Sequence, residues 1–205
     1  MNTIISTSDS SLEVIEKYIS NPDDWYEYLL SLPLIKYPKG KLFGKEITFH
    51  RSIGFFSDYS EGYRFSGQII KTGGLSSILK KILNDVNTQF SKEYNGILVN
   101  VYYTGEDYIS AHSDDEKDLK SSEVVAISFG QSRNFRIRPK DKNLEIDSKV
   151  SASKKHKTPV YDIPTTHGQL LYMKGNFQKE FTHEIPIEKT KNNIRVSLTF
   201  RYHSK

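Results

Sequence analysis

The spacing of hydrophobic positions changes near residue 95. Before it they recur at helical intervals, with a lead-in strand, and after it they come in short runs split by Gly, Asn, Lys and Pro. Ser10-Ser11-Leu12-Glu13 has the form of a capping box, and Leu12, Ile15 and Ile19 follow at helical spacing, which predicts a first helix. Asn21-Pro22-Asp23-Asp24 predicts a second helix start, with Asn as cap, Pro in the first turn and acids at the positive end. Trp25, Tyr28, Leu29 and Leu32 form its apolar stripe, ended by Pro33. A third helix is predicted over 75–93, with Leu75, Ile78, Leu79, Ile82, Leu83, Val86 and Phe90 on one face. These stripes are read as core, with no ligand assigned to them.

Strands are predicted over 97–103, 124–129, 134–138, 160–163, 169–173, 181–186 and 194–202. Residues 140–158 are polar and lysine-rich (Lys140, Lys142, Lys149, Lys154, Lys155, Lys157) and are read as a loop. Helices first and many short antiparallel strands after them predict an α+β fold, a β-sandwich or jelly roll buttressed by N-terminal helices. One domain is expected over 1–205, with its helical part at about 1–95 and the strand core at about 96–203.

Composition narrows the class. With 36% hydrophobic and 26% charged residues the chain is expected to be soluble and globular rather than disordered. It contains no cysteine, which excludes disulfides, thiolate zinc sites, iron–sulfur clusters and cysteine nucleophiles. The start lacks a basic segment followed by an apolar run, so no signal peptide is expected, and no stretch suits a membrane span. The expectation is an intracellular, soluble monomer that engages no membrane, with nucleus and cytoplasm both open. A net charge of +4 favours a polyanionic partner, nucleic acid above all, although a lysine-rich surface also serves solubility alone.

The chemistry starts at His112-Ser113-Asp114. In a strand, residues i and i+2 leave the same face, so one imidazole and one carboxylate share a small volume. His183, from a distant strand-like run, would complete a two-histidine, one-carboxylate set, which suits Fe(II) and leaves positions open for O2 and a co-substrate. Asp115 has the wrong parity to join, and His167, in a Thr-His-Gly turn, suits a structural hydrogen bond better than ligation. On the last predicted strand Arg195, Ser197, Thr199 and Arg201 share one face, opposite Val196, Leu198, Phe200 and Tyr202. Two arginines on a buried face need anionic partners and suit a dicarboxylate; the plain alternative is a face open to solvent. Asn100 and Tyr102 offer an amide and a phenol for carboxylate oxygens in the same way. Metal set and acid clamp together point to an iron and 2-oxoglutarate oxygenase.

Several motifs then agree in order and spacing over roughly residues 40–202: Asn100-Val101-Tyr102-Tyr103, His112-Ser113-Asp114-Asp115-Glu116, Ala126-Ile127-Ser128-Phe129-Gly130, His167-Gly168-Gln169-Leu170-Leu171-Tyr172-Met173, His183, and Arg195 through Arg201. In them the chain resembles the AlkB family of nucleic-acid dealkylases. The resemblance implies a double-stranded β-helix core binding Fe(II) through His112, Asp114 and His183. It places Arg195 on the distal carboxylate of 2-oxoglutarate and Arg201 near its metal-side carboxylate, with Asn100, Tyr102 and Ser197 completing the pocket. Family chemistry couples decarboxylation of 2-oxoglutarate to succinate with hydroxylation of an N-methyl carbon on a damaged base, which then sheds formaldehyde.

The resemblance also extends to the substrate. Tyr63-Arg64-Phe65-Ser66-Gly67 is similar to a lid segment in which an aromatic, here Phe65 beside Ser66, stacks on the extruded base. Glu116 matches an acid that accepts a hydrogen bond from the base's exocyclic amine. Leu42-Phe43-Gly44 resembles an apolar finger of animal members acting on duplex DNA, with Phe43 as the wedge. Ordinary alternatives stand beside these: Phe65 or Phe43 in a core, Glu116 as a solvated loop acid. The expected substrate is N-alkylated DNA (1-methyladenine or 3-methylcytosine type), favoured over RNA. Rivals are an oxygenase of protein or lipid with the same iron chemistry, and a non-catalytic nucleic-acid-binding β-barrel.

Overall fold

Strands begin earlier than the spacing predicts. In the computed structural model Asn2–Ser6 (β1) and Ser10–Ile15 (β2) form an antiparallel pair where a first helix is expected. The structure describes all residues except 43, 66–67, 116–122, 154–157 and 204–205; of residues 42, 64, 65 and 68 it describes the backbone. Leu12 and Val14, two apart, join the same core cluster, as alternate residues of a strand do. Instead of capping a helix, Glu13 accepts from Ser11 Oγ at 3.3 Å. Pairing with a neighbouring strand overrides a local capping pattern that had nothing else to support it.

The second and third predicted helices are present. Pro22–Leu30 (α1) begins on the proline with Asp23 and Asp24 in its first turn, although Asn21 makes no side-chain cap bond. Lys39–Leu42 (β3) and Lys45–Thr48 (β4) pair as an antiparallel hairpin, with Gly44 at φ +78° in the turn between them. Three further strands follow: Ser52–Phe56 (β5), Gly62–Phe65 (β6) and Gln68–Gly73 (β7). Ser77–Phe90 (α2) is capped by Ser76, whose Oγ accepts from Leu79 N–H at 3.1 Å, and buries Leu79, Ile82, Leu83 and Val86.

The remaining strands are Gly96–Tyr102 (β8), Ile109–His112 (β9), Val124–Gly130 (β10), Arg133–Pro139 (β11), Asp147–Ser148 (β12), Tyr161–Thr165 (β13) and Gln169–Gly175 (β14). A single turn, Phe177–Glu180 (α3), leads into Phe181–Ile185 (β15), and Arg195–Arg201 (β16) closes the series. The large sheet runs β12-β1-β2-β14-β10-β16-β8-β5-β7-β6, and a four-stranded sheet, β13-β11-β15-β9, faces it. This is the jelly roll buttressed by helices.

The large sheet is covered on both faces. Val196, Leu198 and Phe200 of β16 join Ile97, Val99 and Val101 of β8 in one cluster with Leu29 of α1 and the apolar stripe of α2. Each of the three β16 residues is fully sequestered, which contributes roughly 1.5–3 kcal/mol apiece relative to exposure. Between the sheets a second cluster holds Leu12, Val14, Phe135, Ile137, Leu171, Met173 and Phe181. The alternate residues of β8 and β16 therefore point inward, beside that second core, where the sheets enclose a cavity.

Candidate active site

The cavity has a volume of about 500 Å³, within the range of small-molecule sites. His112 on β9 pairs directly with His183 on β15, which brings their rings to 4.4 Å between centroids. Asp114 lies just past the end of β9 and not on the strand. Its N–H donates to Gln178 Oε1 at 2.8 Å, and Ser113 Oγ donates to the Phe181 carbonyl at 2.9 Å, so the chain is still pinned where its carboxylate meets the histidines. Donor atoms of His112, Asp114 and His183 lie within 4.8 Å of one another. His112 Nε2 is 3.6 Å from Asp114 Oδ1 and His183 Nε2 is 3.7 Å from Oδ2, too long for hydrogen bonds. His112 Nδ1 lies 2.8 Å from the Ser110 carbonyl; donating there leaves the Nε2 lone pair facing Asp114. Two imidazole nitrogens and a carboxylate gathered on one side suit a divalent cation with its other positions open.

Arg195 is buried beside this set. Its Nε donates to Thr165 Oγ1 at 3.3 Å and its Nη2 to Ser128 Oγ at 2.9 Å, while its guanidinium lies over the Tyr102 ring at 5.3 Å. Nη1 is sealed from solvent and has no hydrogen-bond partner. Burial pushes the guanidinium down to about 10. A buried cation with an orphaned donor calls for an anionic acceptor. Six residues on, Arg201 Nη2 donates to Asp114 Oδ1 at 2.6 Å and Nη1 to Tyr63 Oη at 3.2 Å. One arginine thus touches the metal set and its partner on the same strand reaches deeper. Arg51 is a third guanidinium lining the cavity, and Asp114 is the buried carboxylate among them. That surplus of positive charge matches a dicarboxylate, so the residues present fit 2-oxoglutarate as they fit Fe(II).

Asn100, Tyr102, Arg195, Ser197 and Arg201 all line the same cavity as His112, Asp114 and His183. Arg195, Ser197, Thr199 and Arg201 are buried, not open to solvent. Phe43, Ser66 and Glu116 lie outside the described residues, and Phe65 ends β6 with its backbone paired to Gln68. The lysine-rich stretch contains the short strand β12, and Lys140 bends inward to donate to the Gln178 carbonyl at 2.8 Å. His167 serves structure, its Nδ1 accepting from Gly130 N–H at 2.8 Å. Arg51, Tyr63 and Gln178 escape the sequence reading. Arg51 precedes a strand buried on both faces, which shows no alternation to mark it.

A family model described as the 2OG-Fe(II) oxygenase superfamily matches residues 20–201. The chain is 32% identical over 162 residues to the human DNA oxidative demethylase ALKBH2, an alignment covering 78% of this chain and 59% of that protein. It is 32% identical over 125 residues to human alpha-ketoglutarate-dependent dioxygenase alkB homolog 3, covering 60% of this chain and 42% of the relative. The chain therefore spans about half the length of these relatives. Among solved structures, OsALKBH1 superposes with a TM-score of 0.58 at 14% identity over 93% of this chain and 97% of its own. An oxidoreductase of the 2OG-Fe(II) oxygenase family from Burkholderia pseudomallei gives 0.57 at 14%, over 94% and 84%. At that identity the two structures speak for the fold alone.

Proposed function

We propose, because this chain belongs to the 2OG-Fe(II) oxygenase superfamily and within it to the AlkB family, that it is a dioxygenase that removes N-linked methyl groups from bases in DNA. The observation that carries the reading is the adjacency, in one cavity, of the His112/Asp114/His183 donor set and the orphaned Nη1 of Arg195. Family membership brings Fe(II), 2-oxoglutarate and O2. His112, Asp114 and His183 would hold the iron, which, when bound, supplies the oxidation of an N-methyl carbon coupled to decarboxylation of the co-substrate.

The chain's own residues do the rest. Arg195 takes the distal carboxylate of 2-oxoglutarate in its planar fork. Arg201, already fixed on Asp114, would take the nearer carboxylate, so that one guanidinium would hold co-substrate and metal ligand together. Asn100, Tyr102 and Ser197 fill the remaining polar positions, while Phe135, Leu171 and Met173 form an apolar wall that keeps water from the reacting end. Phe65, Ser66 and Glu116 are the residues assigned to the extruded base, and a cationic 1-methyladenine or 3-methylcytosine would gain from a carboxylate such as that of Glu116.

DNA is favoured over RNA by the Leu42-Phe43-Gly44 string between Lys41 and Lys45, a sequence suited to an apolar wedge flanked by phosphate-seeking charges. It is favoured also by the relative named as a DNA oxidative demethylase. Among the described residues no helix is long and apolar enough to cross a membrane, and a cysteine-free chain handling Fe(II) suits an intracellular setting. Succinate formation with Fe(II) and 2-oxoglutarate, measured alone, with methylated DNA and with methylated RNA, tests the reading. Stimulation by DNA supports it, and a larger stimulation by RNA reassigns the substrate. No succinate under any condition overturns it.

A further inference from the structure

Arg51 is a buried, cavity-lining cation that neither the metal set nor the acid clamp explains. It is 7% exposed, its guanidinium sits over the Phe49 ring at 5.5 Å, and its Nε donates to Asn100 Oδ1 at 2.9 Å. That bond is the one side-chain hydrogen bond either residue makes among the described residues. Like-charged Arg201 acts on it from across the cavity, and burial lowers the affinity of its guanidinium for a proton. Seating a cation there costs stability, and packing of β5 alone does not require one.

Backbone pairing explains the contact. Ile53 of β5 is the register partner of Asn100 of β8, and Asn100 is in turn the partner of Ser197 of β16. Arg51 precedes Ile53 by two and so shares its face, the face that carries Asn100, Tyr102 and Arg195 into the cavity. A carboxamide can sit either way round. With its oxygen toward the co-substrate it would repel a carboxylate, and with its NH2 group there it donates. A guanidinium has donors only, so Arg51 can accept just one of the two orientations: Oδ1 toward itself, Nδ2 toward the cavity.

We propose that Arg51 is a positioning residue for the co-substrate: it locks the Asn100 amide with its NH2 group presented to a carboxylate of 2-oxoglutarate. The inference rests on the reading of the cavity as a 2-oxoglutarate site. It does not depend on which methylated substrate is used, because the site can be interrogated by binding alone.

The test is a double-mutant cycle on the full chain loaded with Mn(II), a divalent ion that takes the same kinds of ligand. The readout is the dissociation constant for 2-oxoglutarate by titration calorimetry. Arg51→Met keeps an apolar stem and removes every donor; Asn100→Ala removes the amide. Each single change should weaken binding by about tenfold, the scale of one hydrogen bond to a charged group. The double variant should bind within about twofold of Asn100→Ala alone, because Arg51 has nothing left to position. Arg51→Lys, which keeps a donor, should recover most of the affinity lost in Arg51→Met. Wild-type affinity in Arg51→Met overturns the proposal, as does a double variant that loses the product of the two single effects, since Arg51 would then act by charge and not through Asn100. Thermal melts identify a variant that fails to fold; if that is Arg51→Met, Arg51→Gln carries the cycle, again read against Asn100→Ala. A wild-type protein that binds no 2-oxoglutarate overturns the reading of the cavity itself, and is told apart by occurring before any substitution.

Discussion

Replacing Arg195 by lysine tests the acid clamp at its tightest point. The guanidinium is buried, two of its three nitrogens are committed to Thr165 and Ser128, and Nη1 stands without a partner. A carboxylate can be met by a planar fork in a bidentate pair; a lysine ammonium meets it as a point charge. Losing one charge-assisted hydrogen bond costs about 1.5–3 kcal/mol, which is roughly ten- to a hundredfold in the dissociation constant. Calorimetric titration of 2-oxoglutarate into Mn(II)-loaded Arg195→Lys should show that loss. Burial has pushed this guanidinium down to about 10, well below an exposed arginine, so its cation is lost as the pH rises through about 10. On the proposed role of Arg195, co-substrate binding requires the cation. Wild-type affinity should therefore hold at neutral pH and fall as the pH passes about 10, and binding there should take up protons, since the carboxylate favours the charged form. An unchanged titration in Arg195→Lys would remove the residue from the co-substrate.

Asp114→Asn keeps an acceptor for Arg201 but removes the ligand charge, so turnover should fall to background while a thermal melt still shows one cooperative transition; near wild-type formaldehyde release would contradict the metal assignment. Asp114→Ala should unfold more readily, by about 3–5 kcal/mol, because it removes the carboxylate paired with the buried Arg201. Phe43→Ala should slow repair of a methylated duplex by about tenfold or more and leave the same lesion in a single strand almost unaffected, since only the duplex demands unstacking; equal slowing on both would make Phe43 a core residue. Away from the site, burial alone would push the Glu123 carboxyl up, but hydrogen bonds from Lys92, Gly175 N–H and Tyr172 Oη hold it below its ordinary value. The stability this contributes is complete above the usual carboxylate range and is lost as the pH falls through the lowered value. Glu123→Gln should thus cost about 1–3 kcal/mol in denaturant melts at neutral pH and progressively less in acid.

How far the site was legible depends on whether its residues alternate. On β16 a clean alternation puts Val196, Leu198 and Phe200 against the helices and Arg195, Ser197, Thr199 and Arg201 in the cavity, so periodicity alone separates the two faces. Asn100 and Tyr102 are found in the same way. Arg51 is not, because β5 is buried on both faces and its sequence, Ser-Ile-Gly-Phe-Phe, carries no period of two. Asp114 reaches the histidines by a different route from the strand parity that singles it out: the chain has left β9, and Gln178 and Phe181 hold it in place. At the other end of the molecule Leu12, Ile15 and Ile19 match helical spacing by chance, and the pairing of β2 with β14 decides the matter. Such pairings join segments far apart in sequence, and no local pattern contains them.

The most direct test of the central claim is a single reaction. A duplex oligonucleotide with one 1-methyladenine is incubated with the protein, Fe(II), 2-oxoglutarate and air, and mass spectrometry follows the base while succinate is counted. The account predicts that adenine and succinate appear in equal amounts, that Asp114→Asn yields neither, and that the same lesion in RNA reacts more slowly. Succinate without loss of the methyl group, or a methylated base left intact by an enzyme that binds its co-substrate, would contradict it.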